Sequence, residues 1–130
     1  MAKTVLVVED NELNLRLFCD LLQAHGYLAH QVKDGREAMD RAREVRPDLI
    51  IMDIQMPHVS GLELIGRIRA EPQLRETPIM AVTAYAGERD EEQIRAAGAD
   101  SYISKPIALQ RFLDAVAALV GDDERQPVGA

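Results

Sequence analysis

Reactive side chains in this 130-residue chain stand directly behind short runs of aliphatic and β-branched residues. Glu9 and Asp10 follow Val5-Leu6-Val7-Val8, and Asp53 follows Leu49-Ile50-Ile51-Met52. Thr83 ends the run that begins at Pro78, and Lys105 follows Tyr102-Ile103-Ser104. If those runs are neighbouring parallel strands, three carboxylates, a hydroxyl and an ammonium converge in one cleft. Crowded carboxylates repel, which disfavours the fully ionised set. A hard divalent cation relieves the conflict, and oxygen ligands of this kind suit Mg²⁺. Such a centre neutralises an incoming phosphoryl group and orients it for in-line attack by a carboxylate oxygen. Lys105 could pair with one phosphoryl oxygen and Thr83 could donate to another. The set suits formation of an aspartyl phosphate. Each residue also has a plainer role: Asp10 or Asn11 as a helix N-cap, Asp53 as a solvated loop acid, Thr83 as a strand end, Lys105 as a surface lysine. Their joint occurrence at four successive strand ends favours the chemical reading.

The elements that must position these groups can be read from periodicity. Leu13, Leu17, Leu21 and Leu22 recur at helical spacing up to His25-Gly26, where glycine can end a helix. Leu28 to Val32 is a weaker strand closed by Asp34-Gly35. Ala38, Met39, Ala42 and Val45 form the next helical stripe, which Pro47 prevents from continuing. Ser60 and Glu63 match a capping box ahead of Leu62, Ile65 and Ile68. Glu91 to Ala97 reads as a weaker helix ending at Gly98. The last helix carries Phe112, Leu113, Val116, Leu119 and Val120 up to Gly121. Five strands alternating with five helices predict an α/β fold, a doubly wound parallel sheet covered on both faces. Ligands of such sheets bind at the carboxyl ends of the strands, where the reactive groups stand. One domain is expected over residues 1–121, with a polar, flexible tail at 122–130.

Composition narrows the function. A net charge of −7 argues against nucleic acid as a partner, because counterion-release binding needs clustered Lys and Arg. Twelve of the fifteen basic residues are Arg, so the lysine at 105 invites a special role. The longest uncharged apolar run is too short to span a bilayer, and no signal-peptide pattern precedes the first strand. With Cys19 the sole cysteine, an internal disulfide is impossible and a cytoplasmic setting is expected. No Gly-x-Gly-x-x-Gly or P-loop follows the first strand; Glu9 and Asp10 stand there and would repel a pyrophosphate. His25, His30 and His58 lack metal-ligand spacing, and the acidic cluster Glu88 to Glu92 suits a solvated helix start.

The chain resembles the receiver-domain family of response regulators over residues 3 to about 120. The resemblance rests on Val-Val-Glu-Asp-Asn at 7–11, Asp53-Ile-Gln-Met-Pro57 with Gly61, Val82-Thr83-Ala84, and Gly98-Ala-Asp-Ser-Tyr-Ile-Ser-Lys-Pro106. Glu-Asp-Asn-Glu-Leu-Asn at 9–14 and Tyr-Ile-Ser-Lys-Pro-Ile at 102–107 resemble its single-domain DivK type. The resemblance implies a flavodoxin-like sheet of order 2-1-3-4-5, with Asp53 as phosphoacceptor. It implies Mg²⁺ held by Asp10, Asp53 and the Gln55 backbone carbonyl, with Glu9 acting through water. Lys105 is the implied phosphate partner, and Thr83 and Tyr102 the switch residues. It further implies a monomeric signalling protein rather than an enzyme, with at most weak self-phosphorylation and self-dephosphorylation. Its expected partners are histidine kinases or phosphotransfer proteins, contacted through Tyr85, Asp90 and Tyr102. A competing class, phosphatases and mutases that pass through an aspartyl phosphate, characteristically carries a second aspartate two residues after the nucleophile. Here Gln55 occupies that place, and an amide cannot supply a proton.

Overall fold

The central strands assemble because their sequences are runs of Val, Ile, Leu and Met, VLVV in the first, LIIM before Asp53 and IMAV before Thr83, while the two edge strands, LAHQV and SYIS, are more polar. The computed structural model describes residues 2–84 and 87–121. The strands are β1 (Thr4–Val8), β2 (Leu28–Val32), β3 (Leu49–Asp53), β4 (Ile79–Thr83) and β5 (Ser101–Ser104). The helices are α1 (Glu12–Ala24), α2 (Ala38–Val45, after a 3₁₀ turn at Gly35–Glu37), α3 (Gly61–Ala70), α4 (Glu88–Ala97) and α5 (Leu109–Val120). All strand pairings are parallel and the sheet order is β2-β1-β3-β4-β5, as expected. The expected tail at 122–130 lies outside the described residues. Among those described, no helix is long and apolar enough to cross a membrane.

Because successive strand residues point to opposite faces, two cores form. Leu6, Val8, Ile50, Met52, Ile79 and Ala81 pack beneath α2, α3 and α4. Val5, Val7, Leu49, Ile51, Met80, Val82 and Ile103 pack beneath α1 and α5, where Phe18 and Phe112 stack with ring centroids 5.2 Å apart. Parallel register then aligns the strand ends: Val8 lies beside Met52, Asp53 beside Val82, and Thr83 beside Ser104.

Three local expectations change. The core face of α1 is Leu15, Phe18, Cys19 and Leu22, whereas Leu13 is 79% exposed and Leu17 41%. An i, i+4 run of leucines marks a stripe but not which way it faces, and the adjacent stripe carries the larger aromatic. Only half of the expected capping box is made: Ser60 Oγ accepts from the Glu63 amide, while the Glu63 carboxylate pairs with Arg67. The fourth helix begins at Glu88, one turn earlier than its apolar residues suggest, with Glu88, Asp90 and Glu91 in its first turn. Acidic side chains stabilise that end of a helix. Asn11 is the cap of α1, accepting from the Asn14 amide at 3.0 Å.

Gly61 fixes how the segment after Asp53 turns back into α3. Its amide donates to the Ile54 carbonyl at 3.0 Å. A Cβ there would lie 2.8 Å from the Ile54 Cα and closer still to the Asp53 carbonyl oxygen. Neither is the end of a flexible side chain, so the backbone itself would have to move. Gly61→Ala should therefore lower the unfolding free energy by about 2 kcal/mol, in the range of overpacked sites. Urea denaturation checks this, and an unchanged midpoint would show that the turn yields freely.

Candidate acidic site at the strand ends

Glu9 and Asp10 leave β1 beside Asp53 at the end of β3, on opposite sides of the crevice where the chain direction of the crossovers reverses. Ligand oxygens of Glu9, Asp10 and Asp53 all lie within 4.8 Å of one another. Glu9 and Asp53 are each only 1% exposed; Asp10 is half-buried. Lys105 reaches in from the end of β5, its Nζ 3.4 Å from Glu9 Oε1 and 3.7 Å from Asp53 Oδ1. One ammonium thus serves two buried carboxylates. Each Asp53 oxygen has a different environment. Oδ1 accepts from the Gln55 amide at 3.2 Å, whereas Oδ2, like Glu9 Oε1, is buried without a hydrogen bond. Glu9 Oε2 accepts from the Asn11 amide at 3.1 Å.

The charge balance is unfavourable as it stands. Burial, reinforced by Glu9, raises the Asp53 carboxyl to about 8, and the Lys105 ammonium offsets this only in part. Two buried carboxylate oxygens that make no hydrogen bond, Glu9 Oε1 and Asp53 Oδ2, together with the half-buried Asp10 carboxylate, form a set that fits a hard divalent cation.

Residues 5–117 match the family model of the response regulator receiver domain. The chain belongs to the response regulator receiver family. This receiver is 52% identical over 122 residues to the polar-differentiation response regulator DivK of Brucella anthropi, covering 94% of the chain and 99% of the relative. The DivK of Brucella ovis is 51% identical over the same length. Among solved structures, the chemotaxis response regulator CheY4 of Vibrio cholerae superposes with a TM-score of 0.87 at 29% identity, covering 92% of this chain and 99% of that one. The receiver domain of a Pseudomonas aeruginosa sensor histidine kinase, which holds a magnesium ion in its active-site cleft, superposes at 0.86 with 32% identity, covering 94% of this receiver and all of that domain.

Other residues singled out from the sequence fall in two places. Thr83 is buried at the end of β4, where its hydroxyl oxygen accepts from the Gln55 side-chain amide at 2.9 Å. Tyr102 lies farther out, half-buried, its hydroxyl donating to Glu91 Oε1 at 3.0 Å, with the Arg95 guanidinium 5.6 Å above its ring. Glu91 holds the Tyr102 phenol above its usual range. Asp90 is on α4 one residue before Glu91, half-buried; Tyr85 lies outside the described residues. Sequence reading missed the side-chain role of Gln55, which was expected to act through its backbone alone, and the Glu91–Arg95 clasp on Tyr102. The i, i+4 spacing of Glu91 and Arg95 was the available signal for the latter.

The raised Asp53 carboxyl makes a signed prediction for the metal-free protein. An aspartate in an unfolded chain titrates near 4. Because the folded value is higher, this group's contribution is most favourable below about 4 and is progressively lost as pH rises towards about 8. Asp53→Asn should remove that loss and melt about 3 °C or more above the native chain at pH 8 in chelator, the gap closing near pH 4. Parallel melting curves of the two proteins across this range would contradict the assignment.

Proposed function

We propose that this receiver accepts a phosphoryl group on Asp53 and passes the signal on through a phosphorylation-dependent binding surface. The observation that carries the reading is the pair of buried carboxylates, Glu9 and Asp53, sharing the Lys105 ammonium while Asp53 Oδ2 makes no hydrogen bond. Oδ2 is the attacking oxygen in this reading, since Oδ1 already accepts from the Gln55 amide. Mg²⁺ would be held by Asp10, Asp53 and the Gln55 backbone carbonyl, with Glu9 contacting it through water. When bound, it supplies the positive charge that keeps Asp53 ionised and balances an incoming phosphoryl group. As the Asp53 oxygen bonds to phosphorus, the bond from phosphorus to the phosphodonor breaks and the donor leaves with its electron pair, while Lys105 turns from Glu9 and Asp53 to a phosphoryl oxygen. Gln55 cannot act as a general acid or base, which argues against rapid turnover on small substrates.

Docking and output use different faces. The exposed Leu13 and Leu17 lie in the first and second turns of α1, which begins two residues after Asp10, and suit the apolar stripe of a partner helix from a histidine kinase or phosphotransfer protein. Output uses α4, β5 and α5, where Tyr102 is the moving part and Asp90 a contact residue. The Glu91 carboxylate gives Tyr102 a defined outward position from which to move.

Acetyl phosphate with Mg²⁺ should add one phosphoryl group, read by intact mass. Asp53→Asn should abolish the addition, Asp10→Asn should slow it, and full labelling of the Asp53 variant would sink the assignment. Amide NMR with Mg²⁺ and beryllofluoride tests the output face. Shifts should spread from Asp53 through Thr83, α4 and residues 101–106 while α2 stays nearly unchanged. Shifts concentrated on α2 would place the output elsewhere.

A further inference from the structure

The Gln55 side chain crosses from the loop after β3 to the end of β4 and makes two hydrogen bonds there. Its Nε2 donates to Thr83 Oγ1 at 2.9 Å, and its Oε1 accepts from the Ala84 backbone amide at 2.9 Å. The orientation of the carboxamide is unambiguous chemically, because an N–H donor such as that of Ala84 requires the oxygen on its side. One side chain therefore pins both the hydroxyl and the following amide of the segment that leads from β4 towards α4. The backbone of the same residue is tied to the other party, its amide donating to Asp53 Oδ1 at 3.2 Å.

We propose that the Gln55 carboxamide is a clasp that opposes switching, a positioning residue that holds Thr83 and Ala84 in their resting place until Asp53 is modified. The inference rests on the phosphoacceptor reading of Asp53. A new oxygen on Asp53 can draw Thr83 and Ala84 inward only if both bonds to Gln55 are given up. The group added to Asp53 and the carboxamide thus compete for the same pair of partners. The clasp is reversible because Gln55 is solvent-exposed, so water replaces the lost bonds. Two neutral hydrogen bonds at an exposed site bias the equilibrium by about three- to tenfold. That bias lowers the apparent affinity for any ligand that needs the switched state by the same factor.

The test uses Gln55→Met, which keeps length without a polar group, and Gln55→Ala as a second variant. Two readouts are taken: hydrogen exchange of the Ala84 amide in the untreated protein, and beryllofluoride affinity at fixed Mg²⁺. Both variants should exchange Ala84 faster and bind beryllofluoride about three- to tenfold more tightly than the native chain. A side chain that merely supports the site would give weaker binding in both variants. Unchanged Ala84 exchange, or unchanged or weaker beryllofluoride binding, overturns the clasp. If the native chain itself takes no beryllofluoride at Asp53, the phosphoacceptor reading fails and the clasp with it; a responsive native chain with unresponsive variants removes the clasp alone.

Discussion

Two carboxylates buried to 1% exposure, with a third beside them and one ammonium between them, set the terms for the rest of this receiver. Charges withdrawn from water are costly unless partners replace the solvent, and Lys105 replaces it only partly. Everything around the crevice follows from holding that imbalance in place. Parallel register aligns the ends of β1 and β3 so that Glu9, Asp10 and Asp53 must meet. Two apolar cores, one on each face of the sheet, keep the strands from relaxing apart. Gly61 lets the start of α3 pass close to the Asp53 carbonyl and bond back to Ile54.

From that centre two short hydrogen-bond systems lead outward. The nearer joins Asp53, Gln55, Thr83 and Ala84 and links the loops after β3 and β4. The farther joins Tyr102, Glu91 and Arg95 and links β5 to α4. Both are made of polar contacts rather than of packed apolar core: the nearer runs from buried Asp53 and Thr83 out to the exposed Gln55 and Ala84, and the farther lies around the half-buried Tyr102. Breaking such contacts costs less than moving a core residue, which is what the proposed switch requires of them.

Residue 55 bears on the proposed signalling role. A second carboxylate two residues after Asp53 would provide a proton donor and acceptor in the crevice. Gln55 instead offers an amide already engaged with Thr83 and Ala84. The same position thus lacks a titratable group and holds Thr83 and Ala84 through its two hydrogen bonds.

The sequence alone determined the strand and helix order, the doubly wound sheet and the convergence of Glu9, Asp10, Asp53, Thr83 and Lys105, because apolar period and parallel topology leave reactive groups at strand ends no other common place to go. It also showed Gln55 in place of a second aspartate, since that depends on residue type at one spacing. Tertiary structure decided what spacing cannot encode. The facing of α1 depended on which of two adjacent stripes packs better, so Leu13 and Leu17 point outward. The raised Asp53 carboxyl depended on burial, which no single residue reveals. The bonds from Gln55 to Thr83 and Ala84 join groups 28 and 29 residues apart, and the Tyr102 bond to Glu91 spans 11. Side-chain pairs of that separation carry no periodic signature; they exist only once the sheet has placed their loops side by side.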